Sequence, residues 1–352
     1  RVGFEWTAAV PCAPLRTTIT DLSYFMQAHL NKGCRAENCI LSAESMAAMH
    51  EPQFSHHPKM SGLAYGFLDM TFNGQRVLWH TGESPSFVTV LALIPDQNLG
   101  VVVSYNTPNV DPRSVLFQFM DTFFPTERTE IDSLKLAGWQ ERAQMNNGVY
   151  APARSATTTA QILARIWASA PVEVVQGQLL FNGMQFVETE ANIFRQVKGD
   201  RVIVFQTDAD GRHWLFMGPL AYFQVGWYET PLFVLIVFGL CLLVFFTAWV
   251  VWPLRAWRSR GKPTRPQTAQ LWLAGLLGLY DFALLAWFMV IQLKLADQYV
   301  YLQNSVNLIG LLFWLAVPWT LSVLAVAVRA WLRGEWSAGW RVHYTLVAVA
   351  GT

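Results

Sequence analysis

The chain has 352 residues, of which 53% are hydrophobic and only 14% are charged, so a wholly soluble protein is disfavoured. Its formal net charge of +1 argues against a nucleic-acid-binding protein, which needs a concentrated basic face. Its four cysteines do not make a disulfide framework, and Cys34 and Cys39 either close a small loop or remain separate thiols. The chain opens with "RVGFEW" and ends within an apolar run, and we expect it to be a fragment of a longer protein.

Two short helices are predicted first. In "TTITDLSYFMQAHLNKG", Thr20 is the candidate N-cap, apolar residues follow at helical spacing, and Gly33 ends the run. In "LSAESMAAMHEP", Ser42 is the candidate N-cap and Ser45 occupies the third helical position.

Two β-hairpins and a helix are predicted next. Asn73–Gly74 is a strong turn signal between two strand-like runs. "SFVTVLALIPDQNLGVVVSYN" is rich in β-branched residues and predicts a second hairpin with its turn at Pro95–Asn98. "SVLFQFMDTFF" predicts an apolar-faced helix. Together these elements predict an α+β fold in which helices lie on an antiparallel sheet.

Several pieces of this stretch occur in an order typical of one enzyme family. They are "PLRTTITDLSYFMQAHLNKG", "ILSAESMAAMHEPQ", "GLAYGF", "WHTGESPSFVTVLALIPDQNLGVVVSYN" and the closing helix. Over Val10 to Phe124, about a third of the chain, the sequence resembles the C-terminal portion of the β-lactamase-related serine hydrolases. That superfamily includes class C β-lactamases, penicillin-binding DD-peptidases and related esterases and peptidases.

The resemblance implies a set of catalytic residues. His80-Thr81-Gly82 falls where the family carries its third active-site motif, Lys-Thr-Gly or His-x-Gly, on a sheet strand. By resemblance, His80 places a hydrogen-bond donor or cation beside the nucleophile, and Gly82 lets substrate approach the strand backbone. One backbone N–H of the oxyanion hole is expected near Ser84. Without the resemblance, His80 reads as a half-buried strand histidine.

The family's other motifs are missing from the expected part of the chain. Its nucleophile lies in Ser-x-x-Lys, and its second motif is Tyr-x-Asn or Ser-x-Asn. Ser259–Lys262 matches the first pattern but lies in a basic loop, and Ser305–Asn307 matches the second but adjoins an apolar run. Both read as chance matches. In the family these motifs precede the matched stretch, so we expect the chain as given to be inactive.

The stretch "HEPQFSHHPK" is not predicted to bind metal. His50, His56 and His57 lack a spacing that presents ligands together, and acidic partners are few. We expect a solvated loop able to rim the cleft, with no metal and no cofactor.

A linker at residues 126–140 and a small antiparallel β-domain at residues 141–228 are predicted to follow. The domain resembles the lipocalin-like C-terminal appendage of some members of the same family, which would either hold an apolar ligand or, as we favour, act as a spacer. "DADG" reads as a plain turn, because it lacks the acidic residue that closes a calcium loop. Turn signals lie at Gln176-Gly177, Asn182-Gly183, Lys198-Gly199-Asp200 and Asp208 to Gly211.

The last part of the chain predicts membrane spans. The apolar runs 231–252, 271–293 and 306–328 have spanning length, and a fourth is expected to start at 343. The loop after the first span carries five basic residues and no acid, so by the positive-inside rule the residues before Pro231 are extracytoplasmic. Asp281 is the acid within the second span, and it reads as a protonated or helix-paired side chain that faces the bundle interior, with a functional role as the alternative.

Together, these observations predict a bacterial inner-membrane serine hydrolase. Residues 1–125 would be the C-terminal part of the hydrolase domain, and residues 229–352 the membrane region. The enzyme would form a seryl-enzyme with peptide-like, ester or β-lactam substrates, would contact the lipid bilayer, and would bind no nucleic acid. One alternative is a non-catalytic receptor or transport-accessory protein with a hydrolase-like binding domain. Another is a transporter, for which Asp281 alone is thin support.

Overall fold

The computed structural model describes residues 15–84, 86–107, 110–126, 136–155, 162–175, 177–197, 199–258, 266, 268–295 and 303–351. The chain combines helices and strands and divides into two compact units after Thr230. The first unit contains a five-stranded antiparallel sheet and a closed eight-stranded barrel, and the second consists of apolar helices.

The elements are numbered in chain order. The helices of the first unit are α1 (Ile19–Leu30), α2 (Ala43–His50), α3 (Arg113–Phe123), α4 (Trp139–Met145) and α5 (Ile162–Trp167). Its strands before the barrel are β1 (Cys34–Arg35), β2 (Asn38–Cys39), β3 (Gly62–Leu63), β4 (Leu68–Phe72), β5 (Gln75–Glu83), β6 (Val88–Ile94) and β7 (Leu99–Tyr105). The barrel strands are β8 (Gly148–Pro152), β9 (Ala170–Val175), β10 (Gln178–Phe181), β11 (Met184–Glu190), β12 (Ile193–Gln196), β13 (Val202–Thr207), β14 (His213–Met217) and β15 (Leu220–Gln224).

The starts of the first two helices test the capping predictions. Ser42 caps α2 by accepting a hydrogen bond from the Ser45 N–H at 3.2 Å, which confirms that prediction. For α1 the N-cap is Thr18 and not Thr20, so that prediction was wrong. The Thr18 hydroxyl oxygen accepts from the Asp21 N–H at 3.1 Å, and the hydroxyl donates to the Asp21 carboxylate at 2.9 Å. This reciprocal pair of bonds moves the helix start two residues towards the N-terminus.

Both predicted hairpins are present in the sheet, whose strand order is β3-β4-β5-β6-β7. Asn73 and Gly74 join β4 to β5 with φ values of 48° and 73°, the left-handed conformation that a two-residue hairpin turn requires. A 3-10 turn at Pro95–Gln97, followed by Asn98 at φ 48°, joins β6 to β7. A disulfide joins Cys34 to Cys39 across β1 and β2, the pairing that the sequence left open.

Helices cover both faces of the sheet, so helices laid on an antiparallel sheet are confirmed. Helix α3 packs on one face through Leu116 and Met120, and α1 packs on the other through Met26. Gly100 allows α1 to approach β7, because a Cβ there would lie 2.9 Å from the Met26 sulfur. Each fully buried leucine, such as Leu78, contributes roughly 1.5–3 kcal/mol through burial.

The predicted small β-domain is a closed antiparallel barrel, in which β9 pairs with both β8 and β10. Its interior is filled: Tyr150, Phe181, Phe186, Phe194 and Leu215 are all 0% exposed. Because lipocalins hold a ligand inside the barrel, closure alone does not make this barrel lipocalin-like.

Helix α4 packs against this barrel core through Trp139 and Ala143. It is also held by an ion pair, in which the Arg142 guanidinium donates to both oxygens of Glu188 at 2.7 and 2.6 Å. The Glu188 side chain is fully buried, so both of its oxygens need such partners. Helix α4 begins at Trp139, inside the predicted linker at residues 126–140, and α5 was not predicted.

The second unit contains helices α6 (Pro231–Arg258), α7 (Thr268–Leu295), α8 (Gln303–Leu332) and α9 (Ala338–Ala350). Three stretches are long and apolar enough to cross a membrane, so the chain is that of a membrane protein. The predicted spans 231–252, 271–293 and 306–328 lie within α6, α7 and α8, and α9 begins five residues before the predicted fourth start. The spanning stretches are Pro231–Leu254, Thr268–Phe288 and Gly310–Leu332.

Two other predictions concern Asp281 and the Ser-x-x-Lys match. The Oδ2 atom of Asp281 is buried in α7 and has no hydrogen-bond partner among the described residues. The Ser-x-x-Lys match at residues 259–262 lies outside the described residues.

Candidate functional site

The predicted site residues lie at the far end of strand β5. In the described part of the chain, the pairing of β5 with β4 ends at Trp79 opposite Leu68, whereas pairing with β6 continues to Glu83. His80–Glu83 therefore has a partner strand on one side and an open backbone edge on the other. Such an edge presents N–H and C=O groups that an extended ligand is able to pair with.

His80 and Gly82 share one face of the sheet. Side chains alternate along a strand, so both lie on the α1 face with Leu78. Leu78 is fully buried, but His80 is exposed, because the α1 packing does not extend to this end of the sheet. Thr89 is paired with Gly82, and its hydroxyl is 2.7 Å from that of Ser104 on β7. We call His80, Gly82, Thr89 and Ser104 the open face.

Thr81 lies on the opposite face of β5 from His80. It pairs with Val90, a fully buried residue of the core beneath α3. The structure therefore brings His80 and Gly82 to one surface and turns the Thr81 side chain away from it.

Gly82 has open space where a side chain would be. A Cβ built at this position meets no heavy atom within 4 Å, in contrast to Gly100, where Met26 occupies the space. Packing within the described structure therefore does not require glycine at position 82. A bare strand backbone on an exposed face is suited to close approach by a ligand.

Ser84 lies in the turn that leads from β5 to β6. Its N–H donates to the Phe87 carbonyl oxygen at 2.8 Å, and its hydroxyl oxygen accepts from the Phe87 N–H at 3.1 Å. The N–H of Ser84 is thus already engaged in the turn. An oxyanion at this position would have to compete with the Phe87 carbonyl for it.

A charged network that the sequence did not reveal lies on the same face, further from the open end. The Arg76 guanidinium donates to both oxygens of Asp69, at 3.0 and 2.9 Å, and also to the backbone carbonyl of His50. It thereby fixes the C-terminal end of α2 against β4 and β5. The signal in the sequence was a pair of opposite charges at inward positions of two neighbouring strands.

A second missed feature is a pair of histidines between α1 and α2. His29 is 3% exposed, and its Nδ1 lies 3.0 Å from Nε2 of His50. Burial, followed by the charge interaction with His50, lowers the pKa of His29 to about 4. Burial, followed by the nearby Arg76, lowers the pKa of His50. The sequence drew attention to His50 but gave no sign that His29 would meet it.

The loop at residues 51–61 is exposed or half-buried throughout, which agrees with the predicted solvated loop, and it also contacts the barrel. The His56 ring stacks on Phe216 of β14 with centroids 4.2 Å apart, and Lys59 forms an ion pair with Glu190 of β11. His57 accepts the Lys59 N–H within the loop. The outer face of β14 carries aromatic rings, which give the loop an apolar surface to cover. No group of three or more metal-binding side chains occurs among the described residues.

The "DADG" segment is a turn between β13 and β14. One oxygen of Asp208 accepts from the N–H groups of Asp210 and Arg212, and the other accepts from the Trp214 indole N–H. Both carboxylate oxygens therefore stabilise the hairpin, as the turn prediction requires.

Comparison with known proteins gives only weak structural similarities. No protein-family model and no curated protein matches the chain. An octameric penicillin-binding protein homologue from Pyrococcus abyssi matches at 14% identity and a TM-score of 0.28, over 59% of this chain and 47% of that one. The crystal structure of SurE matches at 17% identity and a TM-score of 0.37, over 58% of this chain and 48% of that one. The structure of SurE with D-Leu matches at 16% identity and a TM-score of 0.36, over 59% of this chain and 50% of that one. The chain spans about half the length of these structures, and TM-scores below 0.5 support no functional argument.

Proposed function

We propose that the chain is part of a membrane-anchored serine hydrolase of the β-lactamase-related family. The observation that carries the proposal is the exposed His-x-Gly segment of β5, with an open backbone edge and open space at Gly82. The resemblance over Val10 to Phe124 supplies the order of the surrounding elements. The reaction would be acyl transfer from an amide or ester to a serine, followed by hydrolysis.

Each residue of the segment would have a distinct task. The edge of His80–Glu83 would pair with an extended, peptide-like substrate through backbone hydrogen bonds. Gly82 would let the scissile group come close to the strand, and His80 would place an imidazole beside the nucleophile or a substrate carboxylate. The nucleophilic serine would come from a part of the protein that covers the open face.

The test uses protein expressed from the complete reading frame that contains this chain. A fluorophosphonate and a fluorescent penicillin would be used to label it, and the labelling rate would be compared with that of His80→Ala. We expect the substitution to lower the rate by roughly 100-fold, the usual effect of losing a positioned proton donor or acceptor. The matched control is His57→Ala, whose ring accepts a hydrogen bond from the Lys59 N–H within its own loop, and it should label like the wild type. Equal labelling of wild type and His80→Ala, or no labelling of the wild type, would contradict the proposal.

A non-catalytic binding protein is the second candidate, favoured by the engaged N–H of Ser84. In this case the open face would bind a peptide-like ligand without acyl transfer. Calorimetric binding of a penicillin that is recovered intact, with no labelled protein, would favour this candidate over the hydrolase.

We also propose that the first unit lies outside the cytoplasm of a bacterium. Five basic residues, two in the last turn of α6 and three between α6 and α7, support this orientation, as does the Cys34–Cys39 disulfide, which persists in oxidising compartments. A membrane-impermeant maleimide should label Ser86→Cys but not Ser259→Cys in intact cells, in a background with Cys12→Ser and Cys241→Ser. The reverse pattern would overturn the orientation.

A further inference from the structure

The His29–His50 pair has a limited capacity for protons. The two nitrogens lie 3.0 Å apart, and the rings stack at an interplanar angle of 12°. A hydrogen bond between two imidazole nitrogens needs one N–H and one bare nitrogen. If both rings are protonated, two N–H groups face each other and the bond cannot form. The pair therefore stays closed only while at least one ring is neutral.

The groups around the pair oppose protonation further. The rings of Phe25 and Phe67 contact His29 and exclude water from it. Two cations lie nearby: Arg76, which is paired with Asp69 on β4, and Lys32, which lines an adjoining cavity of about 220 Å³. In the described parts of the chain, no carboxylate accepts a hydrogen bond from either imidazole. These cations also disfavour a bound metal ion. The cavity is lined by His29, Leu30, Lys32, Ala43, Met46, Ala47, His50 and Pro95.

The His29–His50 pair holds α2, and the loop that follows α2 contacts the barrel. His50 is the last residue of α2, and the loop at residues 51–61 follows it directly. The Met49 carbonyl accepts from the Tyr65 N–H at 3.1 Å, and Phe54 pairs with Leu63, so α2 also fixes the start of the sheet. At its other end the loop is fixed to the barrel by His56 on Phe216.

We propose that the His29–His50 pair is a proton-sensitive latch that holds α2 and the loop at residues 51–61 at neutral pH and releases them in acid. The proposal does not depend on the hydrolase function. It predicts a reversible opening of one part of the first unit.

The pH range in which the latch opens follows from the direction of the pKa shifts. The pKa of His29 is lowered from 6.5 to about 4 in the closed form, so the open form binds more protons. The stabilisation is therefore fully present above about pH 6.5 and is lost as the pH falls towards 4. Burial also lowers the pKa of His56, against a smaller opposing effect of the Pro219 backbone, so His56 acts in the same direction.

Hydrogen exchange on the whole chain in detergent micelles tests the latch. Exchange of α2 and the loop at residues 51–61 would be measured at pH 7.5 and pH 5.0 and corrected for the pH dependence of intrinsic exchange. We expect protection to fall on the order of tenfold or more at pH 5.0 in the wild type. In His29→Phe/His50→Phe, which cannot titrate at this position, the fall in protection should shrink to the smaller part that His56 contributes.

Two further variants keep the test decisive. His50→Gln should weaken the acid response even if the double variant does not fold, because the new amide oxygen accepts a hydrogen bond from protonated His29. His57→Gln, on the same loop but outside the pair, should respond like the wild type. An acid response of full size in His50→Gln and in the double variant, or none in the wild type, would refute the latch.

Discussion

The open face of the sheet and the interior of the barrel use the same kind of structure in opposite ways. Both are antiparallel, and both present alternating side chains to one side. In the barrel, that side is filled by aromatic rings, among them Phe194 at 0% exposure. At the far end of β5, the same side carries exposed His80 and also Gly82, where an added Cβ would meet no heavy atom within 4 Å.

The open face is uncovered within the described structure, whereas the barrel interior is packed. A filled interior contributes stability through burial and leaves no room for a ligand. An uncovered sheet face with an open strand edge contributes little stability but remains free for recognition. The filled interior of the barrel is therefore a structural core. The barrel also holds the loop at residues 51–61 through Phe216 and Glu190.

The largest effect should come from the barrel core. Phe194→Ala removes a fully buried ring that packs edge-on against Phe205, with centroids 5.5 Å apart. We expect a loss of about 3–5 kcal/mol, because the rigid barrel cannot close the resulting cavity. Chemical denaturation followed by tryptophan fluorescence would measure it. The control is Phe123→Ala, a ring 64% exposed at the end of α3, for which we expect about 0.5 kcal/mol or less. Similar losses in the two variants would mean that the barrel interior is not packed as described.

Local signals in the sequence predicted local structure well. Asn73–Gly74 predicted its turn because only a few residue types adopt left-handed φ values, and the apolar runs predicted the spans because length and composition suffice. The position of His80 on a strand followed from the hairpin pattern around it.

Contacts between distant parts of the chain could not be predicted in the same way. His29 and His50 are 21 residues apart, and their meeting depends on how two helices pack. Closure of the barrel depends on the last strand, β15, pairing with the first, β8, with Tyr222 opposite Pro152, and no turn signal encodes that pairing. The Thr20 cap was wrong for a local reason, since Thr17, Thr18 and Thr20 are all plausible caps and the bonds to Asp21 decide between them.

Two glycines of the sheet should respond differently to the same change. Gly100→Ala places a methyl group 2.9 Å from the Met26 sulfur, and we expect a loss of about 1–3 kcal/mol as α1 is displaced from β7. Gly82→Ala meets open space, and we expect a change of about 0.5 kcal/mol or less in the free energy of unfolding.

The two glycine variants should also differ in binding. In the complete protein, Gly82→Ala should weaken labelling by the fluorescent penicillin, because the methyl group occupies the space that a ligand approaches. Gly100→Ala should leave the labelling rate per folded molecule unchanged. A large loss of stability in Gly82→Ala would mean that another part of the protein already fills this space.

The smallest effect concerns the start of α1 and depends on one hydrogen bond. Thr18→Ala removes the hydroxyl that accepts from the Asp21 N–H, and we expect a loss of about 1 kcal/mol. Thr20→Ala, the matched control, replaces a residue within the helix by a better helix former and should be neutral or slightly stabilising. Denaturation of the two variants side by side measures the difference. A larger loss in Thr20→Ala would return the cap to Thr20 and shorten α1. Helix α1 covers the sheet face at Leu78 but not at His80. Its N-terminal cap therefore helps to hold the helix that sets where the covered part of this face ends.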